Sequence, residues 1–173
     1  AAGMRWAEQG IVYSENQGLD VYTVRIGIRR AFARIVMGDW PAAAGDLELI
    51  ARRHAPSPME AATHGFVASL LGLRQGDGGA EQRLHDSVQA MHRHHVEIWF
   101  ITTAAALAES AWLRGDDDAL DAAARPGLER MIAIGDRWRV GELTAWLVRA
   151  RRHVDIATLP ELPAPYAHEV AGR

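Results

Sequence analysis

This chain of 173 residues contains no cysteine and no lysine; all 19 of its basic residues are arginine. Without cysteine there is no disulfide, no thiolate nucleophile, no iron–sulfur cluster and no cysteine-ligated zinc. Without lysine there is no Schiff-base chemistry and no phosphate-binding loop of the Gly-Lys-Ser/Thr kind. Apolar runs are short as well, and none approaches the ~20 residues that a membrane helix needs. A net charge of −3 gives no electrostatic footprint for nucleic acid or for an anionic membrane. The opening Ala1-Ala2-Gly3-Met4-Arg5-Trp6 lacks the basic-then-apolar plan of a signal peptide. A cytoplasmic protein, and a piece of something longer, is therefore expected.

What is present is a repeat. Gly-Asp pairs stand at Gly38-Asp39, Gly76-Asp77, Gly115-Asp116 and Gly135-Asp136, the first three spaced by 38 and 39 residues. Each of these three follows a segment rich in alanine, leucine or isoleucine: Ala31 to Met37, Ser69 to Gln75 and Ala108 to Arg114. Glycine at a helix end takes the left-handed conformation that stops the helix, and the aspartate after it caps the next one. Ser57-Pro58-Met59-Glu60 is a capping box with proline in the first turn. Met59, Phe66, Leu70 and Leu73 then recur at helical spacing. The pattern predicts helices over residues 3–16, 19–37, 40–54, 58–75, 80–94, 97–114, 117–134 and 138–152. Pro126 should kink or break the seventh near Arg125. No alternating strand pattern is visible. The expected fold is all-α, a right-handed α-α superhelix of the tetratricopeptide-like solenoid type with about three to four helix pairs. It should fill residues 1–153, followed over 154–173 by a proline-rich connector with a short helical turn between Tyr166 and Ala171.

Three segments carry a resemblance. Arg137-Trp138-Arg139-Val140-Gly141-Glu142-Leu143-Thr144-Ala145-Trp146-Leu147 resembles a W-x-x-G-E-L-x-x-W-L segment, and Ala108 to Asp116 is similar to A-E-A-A-W-L-x-G-D. Gly38-Asp39-Trp40-Pro41-Ala42-Ala43 resembles G-D-W-x-x-A. All belong to the tetratricopeptide-like region of large bacterial ATP-binding regulators, many with a LuxR-type helix-turn-helix and others with a cyclase domain. Pro163-Ala164-Pro165-Tyr166-Ala167 is similar to the stretch after that region's last helix. The resemblance spans roughly residues 4–171. It implies a modular regulator with an upstream nucleotide-binding domain, a helical arm and a downstream output module. This chain would be the arm alone, because neither a Gly-x-x-x-x-Gly-Lys loop nor a basic recognition helix lies within it.

Chemistry-bearing residues are few. His85, His92 and His95 share a helical face near His94 and Glu97, which suggests a metal set. Met91-His92-Arg93-His94-His95 reads better as a solvated helix C-terminus, and no metal or other cofactor is expected. Asp116-Asp117-Asp118 lacks the ligand alternation of a calcium loop and reads as a helix cap. Neither a nucleophile–base pair nor a metal signature is legible, so an enzyme is not expected. Glu109 takes the repeat position of Phe32 and Leu70, which should face the core. A carboxylate there needs partners, and Arg137, Arg139 and the Trp138 indole are the expected donors of a structural tie between repeats.

Binding is sought on the first helix of each pair, the concave side of such a solenoid. Superposed repeats give the columns Tyr22/Glu60/Trp99 and Ile26/His64/Thr103, with Arg25 and Arg29 in the first copy. The expected function is a non-catalytic interaction arm holding a partner protein or another domain of its own regulator. The alternative is a sensor with a pocket for a small-molecule inducer in the same face. Direct contact with nucleic acid or membrane is not expected.

Overall fold

The computed structural model describes residues 2–53, 57–94 and 99–172. Among them are nine α-helices and no strand: α1 Ala2–Asn16, α2 Asp20–Val36, α3 Trp40–Arg53, α4 Pro58–Arg74, α5 Ala80–Arg93, α6 Phe100–Leu113, α7 Asp117–Ile134, α8 Arg137–Arg149 and α9 Ala164–Ala171. The first eight match the predicted segments to within three residues at each end. The α4 start is the capping box: Ser57 Oγ accepts from Glu60 N at 3.3 Å, and Glu60 Oε2 accepts from Ser57 N at 3.1 Å.

The Gly-Asp turns work as the repeat requires. Gly38, Gly76, Gly115 and Gly135 have φ between +71° and +82°. The next N–H, on Asp39, Asp77, Asp116 and Asp136, donates five residues back to Arg34, Gly72, Ala111 and Met131 carbonyls at 2.9–3.1 Å. These are Schellman closures, which satisfy the orphan carbonyls of the ending helix. The same aspartates accept from N–H groups of Ala42, Gly79, Ala119 and Arg139 in the following segment. At residues 38–39, 115–116 and 135–136 one dipeptide thus ends one helix and caps the next, while Asp77 closes the turn before α5, whose N-cap is Gly79. At Asp77 the Gly79 N–H and then the Arg83 guanidinium hold the carboxyl below its usual range.

Two further copies of this closure lack the Gly-Asp signature. Leu19 N donates to Ser14 O after Gly18, and Arg152 N donates to Leu147 O after Arg151. Arg151 has φ +54°, the one non-glycine with positive φ among the described residues. The left-handed conformation costs an L-residue roughly 1–2 kcal/mol, part of which glycine gives back as chain entropy. Arg151→Gly should therefore stabilise the chain by about 0.5–1 kcal/mol in a urea titration. A lower midpoint would show that the exposed arginine contributes more than its backbone strain costs.

Backbone contacts divide the chain into two compact units, Ala1–Val96 and Glu97–Arg173. In the first, α2 packs on α1, α3 and α4, and α4 packs on α3 and α5. In the second, α7 packs on α6 and α8, while α8 packs on α6 and α9. The first helices of successive pairs touch, α2 on α4 and α6 on α8, as in an α-helical repeat. The first core gathers Val24, Ile28, Ala31 and Ile35 of α2, a stripe of helical period, with Leu47, Phe66, Leu70, Leu84 and Met91. The second gathers alanines of α6 with Leu120, Leu128, Met131, Val140, Leu143 and Leu147.

Two expectations need correction. Of the kink or break expected at Pro126, the break does not occur: α7 runs unbroken from Asp117 to Ile134. Proline removes one ladder hydrogen bond, but Leu120, Ala124, Leu128 and Met131 on either side are buried in the core and hold the helix together. The segment after 153 is also more than a connector. Val154, Leu159 and Leu162 pack against the second core. A short 3-10 turn at Ile156–Thr158 leads on to the two-turn α9, whose Val170 is buried. These residues fold as part of the second unit. No helix among the described residues is long and apolar enough to cross a membrane.

Candidate functional site

Helix α2 buries Val24, Ile28, Ala31 and Ile35, which turns Tyr22, Arg25 and Arg29 outward at spacings of three and four. Tyr22 is 58% exposed. Arg25 reaches α4, where its Nε lies 3.4 Å from Glu60 Oε1. Glu60 is only 5% exposed and uses its other oxygen for the capping box, so one carboxylate starts α4 and ties it to α2. His64, one turn further on, donates from Nε2 to the Leu47 carbonyl of α3 at 3.0 Å. It also lines an open groove of about 360 Å³ between α3 and α4 with Leu47, Ala51, Ala68, Leu71 and Gln75.

The structure therefore brings Arg25 to Glu60 across α2 and α4, with Tyr22 and Arg29 one turn to either side of Arg25 on α2, while Glu60 and His64 are engaged in holding helices together. Trp99 and Thr103, the third members of the two columns, belong to the second unit and are both buried. The Thr103 hydroxyl donates to the Phe100 carbonyl at 2.7 Å. Neither is presented to solvent, because in α6 this register of the helix turns inward.

Arg137, Arg139 and Trp138, the donors expected around Glu109, each have a further partner of their own. Glu109 is half-buried on α6. Arg137 pairs with Glu161 at 3.0 Å, and Arg139 pairs with Glu142 at 2.7 Å on its own helix. Trp138 is 61% exposed and meets the Tyr166 ring edge-on at 6.0 Å. Both ends of α8 are thus tied to the tail: Tyr166 lies on Gly141, and at the far end Glu169 takes two hydrogen bonds from Arg149 at 2.5 and 3.0 Å. Burial, followed by the nearby Glu142 charge, pushes the Tyr166 phenol up.

No group of three metal-ligating side chains is found among the described residues. His85 sits 3.9 Å from Glu81, His92 is exposed in the last turn of α5, and His95 and Glu97 lie outside the described residues. Asp116 caps α7 through Ala119 N, and Asp118 pairs with Arg152.

A buried ionic cluster went unread in the sequence. Asp46 of α3 is 5% exposed and accepts from Arg30 at 2.7 and 3.0 Å. Arg34 also reaches it at 2.7 Å and donates to the Ala42 carbonyl. The signal was present: Asp46 falls within the apolar stripe Ala43, Leu47, Ile50, and Arg30 and Arg34 sit one turn apart on the preceding helix. Its role is cohesion of α2 with α3. Comparison with family models, curated proteins and solved structures finds no match to this chain.

Proposed function

We propose that this chain is a non-catalytic interaction arm of a bacterial transcriptional regulator, acting in the cytoplasm. It would hold a partner protein, or another domain of its regulator, against the outward face of α2 beside α4. The observation that supports this reading is the display of Tyr22, Arg25 and Arg29 on a helix fixed from behind by a full apolar stripe. An aromatic ring and guanidinium groups on a preorganised surface are the side chains that dominate protein interfaces. Binding there acts by shape and charge, and transmits a signal when the partner prefers one state of the regulator over another.

The test is a photo-crosslinking residue placed at Tyr22, with exposed Asp86 of α5 as the control position. The reading expects a discrete light-dependent protein adduct from position 22 and none from position 86. Equal adducts at both, or none at either, would overturn it. The α3–α4 groove beside His64 favours the second reading, a small-molecule sensor. Loss of the adduct together with a ligand-dependent rise in melting temperature would select that reading instead.

A further inference from the structure

We infer that the segment held by the α2 face is an acidic peptide flanked by apolar residues; this rests on the interaction-arm reading above. Tyr22, Arg25, Arg29 and Val36 fall on one stripe of α2 at offsets of 0, 3, 7 and 14 residues. Their span is about 21 Å at 1.5 Å per residue. Tyr22 at one end and Val36 at the other are 58% and 62% exposed, and the arginines lie between them.

Charge decides the class of partner. Helices α2 and α4 together carry Arg25, Arg29, Arg30, Arg34 and Arg74 against only Asp20 and Glu60, in a chain whose net charge is −3. Arg30 and Arg34 are spent on Asp46, and Arg25 partly on Glu60. The Arg29 side chain forms no hydrogen bond or ion pair among the described residues. It is an exposed guanidinium with its donors unassigned, next to a second that is half exposed. Carboxylates match the planar fork of arginine and form charge-assisted pairs with it. The apolar ends fit a peptide that brings side chains on both sides of its acidic run. A nucleic acid would bring phosphates along its whole length, which suits a basic tract better than two arginines between apolar residues.

The experiment is fluorescence anisotropy of the whole chain with a short labelled peptide carrying a Glu-Asp-Glu run between leucines. A Gln-Asn-Gln version and a single-stranded oligonucleotide of the same charge serve as comparisons. Binding of the acidic probe should weaken about tenfold in Arg29→Ala, the loss of one charge-assisted pair, with an unchanged melting temperature. Arg29→Glu should abolish that binding and take up an arginine-bearing probe in its place. Equal affinity for the neutral probe, or tighter binding of the oligonucleotide, would overturn the inference. If the acidic probe fails while the adduct at position 22 persists, the partner class is wrong and the interaction arm stands. If the adduct is absent, the arm reading has failed first.

Discussion

Asp46→Ala should cost the first unit about 3–5 kcal/mol, the range seen when one partner of a buried ion pair is removed. The carboxylate is nearly inaccessible and receives Arg30 through two nitrogens and Arg34 through a third. Its removal leaves two guanidinium groups, 14% and 18% exposed, without their counter-charge between α2 and α3. The neighbouring cavity, lined by Thr23, Gly27 and Ile50 among others, holds only about 20 Å³, room for about one water. One water can accept a hydrogen bond there, but it cannot supply the lost counter-charge to two guanidinium groups. Gly27 closes the other route of escape, since a Cβ there would already lie 2.9 Å from Ile50 Cδ1 and the helices are in tight contact. Replacing Arg30, Arg34 and Asp46 together by methionine, methionine and leucine should recover most of the loss, because an apolar trio needs no desolvation of charge. Denaturant titrations of the three proteins check this. A loss below about 1 kcal/mol in the single variant would mean that both arginines reach water.

Gly141→Ala should release α9. In an ordinary helix interior that change favours folding by roughly 1 kcal/mol. Here the new methyl would stand 2.5, 2.8 and 2.9 Å from Cδ2, Cγ and Cβ of Tyr166. Real carbon contacts do not come so close, and the neighbour is the root of a ring held by its own helix, so α9 must move as a body. Overpacking of this kind costs about 1–3 kcal/mol, enough to outweigh the gain in helix propensity. The loss should register first as faster hydrogen exchange over Ala164–Ala171, with the core of α6 to α8 still protected. In the Tyr166→Ala background the same substitution should be neutral or stabilising, because the obstructing ring is gone. If Gly141→Ala stabilises the native chain with α9 still protected, the packing account is wrong.

The helices were legible because their signals are local. A glycine needed for positive φ, an aspartate that caps, a Ser-Pro-Met-Glu box and apolar residues at helical spacing all act within one turn of the chain. The break expected at Pro126 does not occur, because its cost is local while the buried residues on either side of it are a tertiary fact. The tail misled in the opposite sense. Prolines at 160, 163 and 165 suggest an extended connector, whereas Leu159 and Leu162 find an apolar surface that only the assembled second unit provides.

The candidate site was legible in part. Outward positions on α2 follow from its buried stripe, so Tyr22, Arg25 and Arg29 could be read from periodicity. Superposing repeats carried the columns on to Trp99 and Thr103, but repeat alignment preserves register and not exposure, and both are buried. Partner choice was the least readable feature. Arg137 and Arg139 take Glu161 and Glu142, while Asp46 takes two arginines that sequence reading had passed over.

By itself the sequence determined the all-helical class, the repeat, the places where helices stop and start, and the exclusion of thiol and lysine chemistry. These depend on residue type, on backbone stereochemistry and on hydrogen bonds that close within a few residues. Tertiary structure alone decided the division into two units, the docking of α9 on α8, and which charges are buried together. Those outcomes depend on distances between residues far apart in the chain, where the cost of burying a charge is set by the side chains that surround it.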